Sequence, residues 1–267
     1  MKKIGILIVG LLCASVSVIS IVSAAEAPYY RLWRGARLES VPQAVFLGQL
    51  NAKFIPALPN VMGTLGVAVA YFPALPPAES AGRPGVFDEY ALIAYRSRKH
   101  YEEAARTPQG AEYGRSHQDL FDMTKSKRSG AIAYSGEIVT DVSYDVSGKR
   151  IDWQAGHATF FVGRRNPNLS PEEFYRKLKE HVEAVSRSFG RFGLDGYVFV
   201  ADNETETAYQ HWPSAEAANS AFQSPEGQQI VREAGGILIP VQFSAANPFD
   251  GNLQPGQVAN VRFPVKP

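Results

Sequence analysis

Cysteine is all but missing from this chain: its 267 residues hold one, Cys13, inside an apolar N-terminal run. A lone thiol excludes disulfides and thiolate metal sites, and removal of that run would leave no cysteine nucleophile. Several catalytic signatures are missing too. There is no Gly-x-Ser-x-Gly, no phosphate-cradling glycine loop, no His-Glu-x-x-His and no dinucleotide fingerprint, so the reaction classes that rest on them lose their support. Nor is there an excess of charge. Lys and Arg number 27 against 26 Asp and Glu, whereas a nucleic-acid binder needs a clear basic surplus for its phosphate contacts. The five histidines, at 100, 117, 157, 181 and 211, are scattered without metal-ligand spacing, and no metal site is expected.

What is present begins with Lys2 and Lys3, an apolar run from Ile4 to Val22, and small residues through Ala24, Ala25 and Ala27. That order reads as a signal peptide over residues 1–24. An uncleaved membrane anchor is the rival, since the run is long enough to span a bilayer; Ser15, Ser17, Ser20 and Ser23 argue against it. A lipoprotein anchor at Cys13 is set aside, because Gly10-Leu11-Leu12 lacks the usual small-residue pattern. The expected location is therefore periplasmic or secreted, with no stable membrane insertion after cleavage. Removing Lys2 and Lys3 leaves 25 basic residues against 26 acidic ones, close to neutral.

The mature chain repeats itself. Tyr95-Arg96-Ser97, then Tyr101, Ala104 and Thr107-Pro108-Gln109-Gly110, matches Trp212-Pro213-Ser214, then Ala218, Ala221 and Ser224-Pro225-Glu226-Gly227, without a gap and 117 positions later. The preceding helices correspond as well. Ser40-Val41-Pro42-Gln43 leads into Phe46, Leu47, Leu50 and Phe54, and Ser170-Pro171-Glu172-Glu173 leads into Phe174, Leu178, Val182, Val185 and Phe189. Both begin with a serine N-cap, an early proline and a Gln or Glu three residues on, the capping-box pattern, and then place apolar residues at helical spacing. Strands are expected at 29–35, 65–72, 89–95 and 131–139, and again at 157–163, 196–201, 207–212 and 238–243. Each copy thus reads strand, helix, strand, strand, helix, strand, the split βαβ order. The sequence divides into a first repeat at 28–140, a linker at 141–156, a second repeat at 157–246 and a tail at 247–267, rich in Pro, Gly and Asn, that is expected to wrap the surface or fray. The long proline-bearing stretch 73–85 reads as a surface excursion.

The Trp212-to-Ala218 and Ser224-to-Gly227 stretches resemble the third strand and second helix of dimeric α/β-barrel proteins, the superfamily of EthD-like and stress-responsive barrel domains. The resemblance covers nearly the whole mature chain as a tandem fusion. It implies an α+β fold of two ferredoxin-like split βαβ repeats forming a fused dimeric α/β-barrel, each sheet covered by helices on one face and by its partner on the other. Its members include cofactor-free oxygenases, isomerases, cyclases, haem enzymes and binding proteins, so it does not choose an activity. Single-copy members dimerise to close the barrel; a fused pair is expected to be a monomer or a weak homodimer.

The richest set of chemical residues lies in the first copy. Tyr113 and His117 are four apart on the second helix and share a face, while Arg31 and Trp33 alternate onto one side of the first strand. In this superfamily the space between sheet and helices holds ligands. Tyr113 and His117 are accordingly the expected catalytic pair, with Arg31, Trp33, Arg34, Tyr95, Tyr209 and His211 binding substrate. An aromatic core with a hydrogen-bonded histidine is the ordinary alternative. The expected activity is acid–base chemistry of the lyase or isomerase type on a small organic acid or uronate, its carboxylate held by arginine, with no cofactor. A non-catalytic small-molecule binding protein is the second reading. Haem held by one of His157, His181 or His211 is the third, implied by haem-binding members of similar tandem plan.

Overall fold

A computed structural model describes residues 26–263. The expected signal peptide therefore lies outside the described residues. In chain order the strands are β1 (Tyr29–Gly35), β2 (Ala68–Ala74), β3 (Glu89–Tyr95), β4 (Lys127–Ala133), β5 (Ser143–Asp145), β6 (His157–Arg165), β7 (Gly196–Ala201), β8 (Thr205–Trp212), β9 (Leu238–Pro248) and β10 (Val258–Asn260). They close into one barrel in the order β1-β3-β2-β10-β9-β6-β8-β7-β5-β4. Two matching sheets are visible in that order, β4-β1-β3-β2 and β9-β6-β8-β7. In each, the first and third strands of the repeat pair antiparallel at the centre.

The seams between the sheets are made by the two segments that sequence patterning left without structure. β5 lies in the stretch expected as a linker and pairs parallel with β4 and antiparallel with β7. β10 lies in the tail expected to wrap or fray; it pairs with β2 and β9 instead, and closure removes the sheet edges that would otherwise be free for pairing with other chains. The ends of β4 and β9 also differ from the apolar runs. β4 covers 127–133 where 131–139 was expected, and β9 runs on to Pro248. Partners on both sides fix these limits, which periodicity within one strand does not register.

Helices cover the outer faces. The first repeat carries α1 (Gln43–Gln49), continued through a π-helical turn (Leu50–Phe54), α2 (Ile55–Leu58) and a second π-helical turn (Pro59–Gly63), then α3 (Arg98–Arg106) and α4 (Pro108–Ser116). The second carries α5 (Pro171–Gly190), α6 (Ala215–Gln223) and α7 (Pro225–Gly235). Ser170 builds a full capping box with Glu173, and Phe174, Leu178, Val182, Val185 and Phe189 form the buried stripe of α5. The expected counterpart at Ser40 does not form: α1 starts after Pro42 with no side-chain cap. Pro56 and Pro59 remove two amide donors from the helical run that follows, and the run widens into π turns on either side of α2.

The 117-residue repeat is a helix–corner–helix. Ser97 and Ser214 cap α3 and α6, while Thr107 and Ser224 accept from the amides of Gly110 and Gly227 at 3.1 and 3.0 Å. A Cβ on either glycine would run into the carbonyl oxygen of Ala104 or Ala221. Three apolar cores result. One fills the barrel between the sheets, with Tyr30, Phe72, Leu92, Trp153, Phe160 and Tyr209; the others lie beneath the helices of the first and second repeats.

Candidate functional site

Each repeat holds a cavity between its sheet and its helices. Strand alternation decides what enters it. On β1, Arg31 and Trp33 point toward the helices, while Tyr30 and Leu32 point into the barrel. The first-repeat cavity is about 230 Å³, and Arg31, Trp33, Tyr95, Tyr113 and His117 meet in it with Tyr71, Tyr101 and Arg128. His117 Nδ1 lies 3.0 Å from the Tyr113 carbonyl oxygen. Because that oxygen only accepts, Nδ1 carries the proton. Burial lowers the imidazole to about 4, and burial holds the Tyr113 hydroxyl well above its ordinary value. At neutral pH the histidine is uncharged and the phenol keeps its proton.

Three residues expected to bind substrate lie elsewhere. Arg34 is 2% exposed and joins the repeats, bonding Asp202 at 2.8 Å and Asp141 at 2.6 Å, with Lys127 completing the cluster. Tyr209 points into the barrel and donates to the Phe72 carbonyl at 3.0 Å. His211 has both ring nitrogens occupied, one 2.6 Å from Asp195 and the other 2.6 Å from the Ala155 carbonyl oxygen. Tyr209 and His211 were expected to face a ligand because they share one face of β8; that face is the barrel interior, and the ligand side belongs to Glu206, Ala208 and Gln210.

The second-repeat cavity, about 380 Å³, is apolar apart from those strand residues and His181, with Phe161, Phe189, Phe222 and Phe243 among its walls. No hydrogen bond to the His181 ring is present among the described residues, and burial lowers its pKa to about 4. Facing the cavity from β8, Glu206 accepts from Tyr197 at 3.3 Å through Oε1, while Oε2 is buried without a partner. Desolvation raises this carboxyl to about 7.

The two cavities come from one repeated unit, and among the positions where they differ is the contact made by a buried glutamate. Glu89 precedes Glu206 by the repeat interval. Tyr71 and Tyr197 are equivalent by strand pairing, opposite Ile93 and Gln210, and so are Trp33 and Phe161, opposite Ala91 and Ala208. In the first repeat Glu89 takes Tyr71 at 3.5 Å and the Trp33 indole N–H at 3.0 Å, and burial raises it to about 8. Phenylalanine at 161 removes that indole from the second. Sequence reading missed this pair, although both glutamates stand at the 117-residue interval that marks the repeat; it also missed Tyr101 and Arg128.

Two copies of the β4-β1-β3-β2 order, each roofed by helices and sealed edge to edge, define the architecture. The fold is two ferredoxin-like units fused into one closed α/β-barrel. No protein-family model and no curated protein matches the chain. Similar solved structures include a candidate monooxygenase from Lactobacillus acidophilus, at 12% identity and TM-score 0.42 over 82% of this chain and 92% of that one. A chlorite dismutase from Candidatus Nitrospira defluvii, solved with imidazole, is 10% identical with TM-score 0.33 over 85% and 94%. A candidate Dyp-type peroxidase from Shewanella oneidensis is 8% identical with TM-score 0.37 over 86% and 95%.

Two expectations are corrected here. The neighbours are named as a monooxygenase, a chlorite dismutase and a peroxidase, against the expected lyase or isomerase activity and against the expected absence of a cofactor. The first-repeat cavity supplies a physical reason for the first correction. A histidine at about 4 and a phenol held well above 10 are poorly matched to proton transfer at neutral pH.

Proposed function

We propose that this chain is an exported haem-binding protein of oxidative function, in which the second-repeat cavity would hold the haem and His181 would ligate its iron. The observation that carries this reading is His181 itself: an uncharged imidazole without a hydrogen-bond partner among the described residues, on the wall of an apolar cavity. A neutral imidazole offers the lone pair that a metal needs. His211 cannot serve, since both its nitrogens are bonded. The phenylalanine walls exclude water from a flat apolar ring system. Lys177, one helical turn before His181, lines an adjoining cavity that His181 also borders, together with Glu180 and Glu233. Glu206 holds a proton that can be given up near neutral pH. Bound haem supplies one-electron and peroxide chemistry. A uronate does not suit the second-repeat cavity, because its hydroxyls would meet mostly aromatic and aliphatic walls.

Titrating the purified chain with haemin tests the reading. A Soret band that saturates at one haem per chain is expected, with loss or a marked shift of the band in His181→Ala while the circular dichroism spectrum stays unchanged. Absence of haem uptake by the folded parent would overturn it. The same preparation, run by size-exclusion chromatography, is expected to elute as a monomer or weak homodimer. The expected periplasmic or secreted location is checked by fractionating cells that express the chain with residues 1–24 intact.

A further inference from the structure

The first-repeat cavity is separate from the haem site proposed above and has the opposite polarity. No Asp or Glu lines it, but two arginines do, Arg31 and Arg128. Neither forms an ion pair among the described residues. Arg31 donates to the Tyr101 hydroxyl and lies over that ring, its guanidinium carbon 4.4 Å from the centroid. This leaves most of its five N–H donors without a protein acceptor among the described residues. Tyr95 and Tyr113 line the same space; the Tyr95 hydroxyl is within hydrogen-bonding reach of Arg31, and the Tyr113 hydroxyl has no hydrogen-bond partner among the described residues. Of the polar groups there, His117 Nε2 is placed to accept, since Nδ1–H is spent on the Tyr113 carbonyl.

Such a set of donors suits an anion, and its walls restrict which one. Trp33, Phe54, Tyr95, Tyr101 and Tyr113 enclose about 230 Å³, room for one or two rings and little more. We infer that the first-repeat cavity binds a small planar aromatic carboxylate, its ring among these aromatic side chains and its carboxylate on Arg31. Guanidinium and carboxylate match as a charge-assisted, two-pronged pair, and a half-buried arginine strengthens that pairing by limiting water. The two arginines also help to lower His117, consistent with a positive potential in the cavity. Binding alone is assigned to this site, with no proton transfer.

Repeat symmetry supplies the test. Gly114 lines the first cavity with nothing within 4 Å of an added Cβ. Val231, 117 positions later, lines the second and is 49% exposed. Calorimetric titration of the haem-free chain would use 1-naphthoate and, as the uncharged comparator, 1-naphthalenemethanol. Naphthoate is expected to bind at least ten-fold more tightly than the alcohol. Arg31→Ala should erase that preference, Gly114→Phe should abolish binding, and Val231→Phe should leave it intact; Arg31→Lys, which keeps the charge, should retain part of the preference. Equal affinity for acid and alcohol, indifference to Arg31→Ala, loss in Val231→Phe alone, or no binding by folded parent protein would each overturn the inference. None of these outcomes depends on haem uptake, so this site and the haem reading stand or fall separately.

Discussion

Glu89 and Glu206 are the same position in two copies of one unit, and they differ by a single donor. Both carboxyls are fully buried and both are pushed up by desolvation, to about 8 and about 7. Trp33 satisfies the second oxygen of Glu89, whereas Phe161 leaves that of Glu206 open. A raised carboxyl pKa means that the native state holds its proton more tightly than the unfolded chain does. The Glu206 contribution to stability is therefore fully present below the unfolded value of 4.5 and is lost as pH rises through about 7. Glu206→Gln should flatten the decline in denaturation midpoint between pH 5 and 8. The difference from the parent should reach on the order of 1–3 kcal/mol at the alkaline end, at about 1.4 kcal/mol per unit of pKa displacement. Urea titrations of haem-free protein at several pH values would measure it, and an unchanged slope would mean that the carboxyl is solvated in solution.

At the scale of single elements, identical sequence signals had unequal outcomes. Ser170 and Ser40 both precede a proline and a Gln or Glu at capping-box spacing, but only Ser170 caps a helix. The difference lies at the helix start: Pro171 directly follows Ser170 and stands in the first turn of α5, whereas Pro42 comes two residues after Ser40 and itself occupies the N-cap of α1. Ser170→Ala is accordingly expected to cost about 1 kcal/mol, the usual value of an N-cap. Ser40→Ala should leave the midpoint of thermal or urea unfolding within error of the parent. The corners between helices were more faithful to their sequence: in both, a Thr or Ser cap and a glycine tucked against a carbonyl oxygen recur at the same interval.

Across the whole molecule, the two repeats are held as one body by the closed sheet and by a charge cluster at one seam. Arg34 on β1 reaches Asp202, in the turn between β7 and β8, and Asp141, just before β5. Asp202 is 7% exposed and also accepts from the amides of Glu204 and Thr205, so loss of Arg34 leaves a buried carboxylate with Lys127 as its remaining cationic partner, at 3.3 Å. Removing one partner of a buried ion pair typically costs about 3–5 kcal/mol. Arg34→Met should lower global stability by roughly 3 kcal/mol, read from the urea midpoint of the intact chain, with both repeats unfolding earlier and together. Unfolding of one repeat alone would show that the seam does not couple them.

Local signals were enough to reveal the repeat, the helix caps and the split βαβ order, because capping, helical periodicity and proline or glycine placement act within a few residues of one another. The gathering of Arg31, Trp33, Tyr95, Tyr113 and His117 was readable for the same reason: alternation on a strand and four-residue spacing on a helix assign a side chain to a face. What alternation could not supply was which face of β8 looks outward, and Tyr209 and His211 were read onto the wrong side. Tertiary structure alone decided the rest. β5 and β10 are three-residue strands with no periodicity to detect, and they exist because two sheet edges need a partner. The lone imidazole of His181 and the orphaned oxygen of Glu206 follow from burial and from what each side chain fails to reach, and neither is encoded near the residue itself.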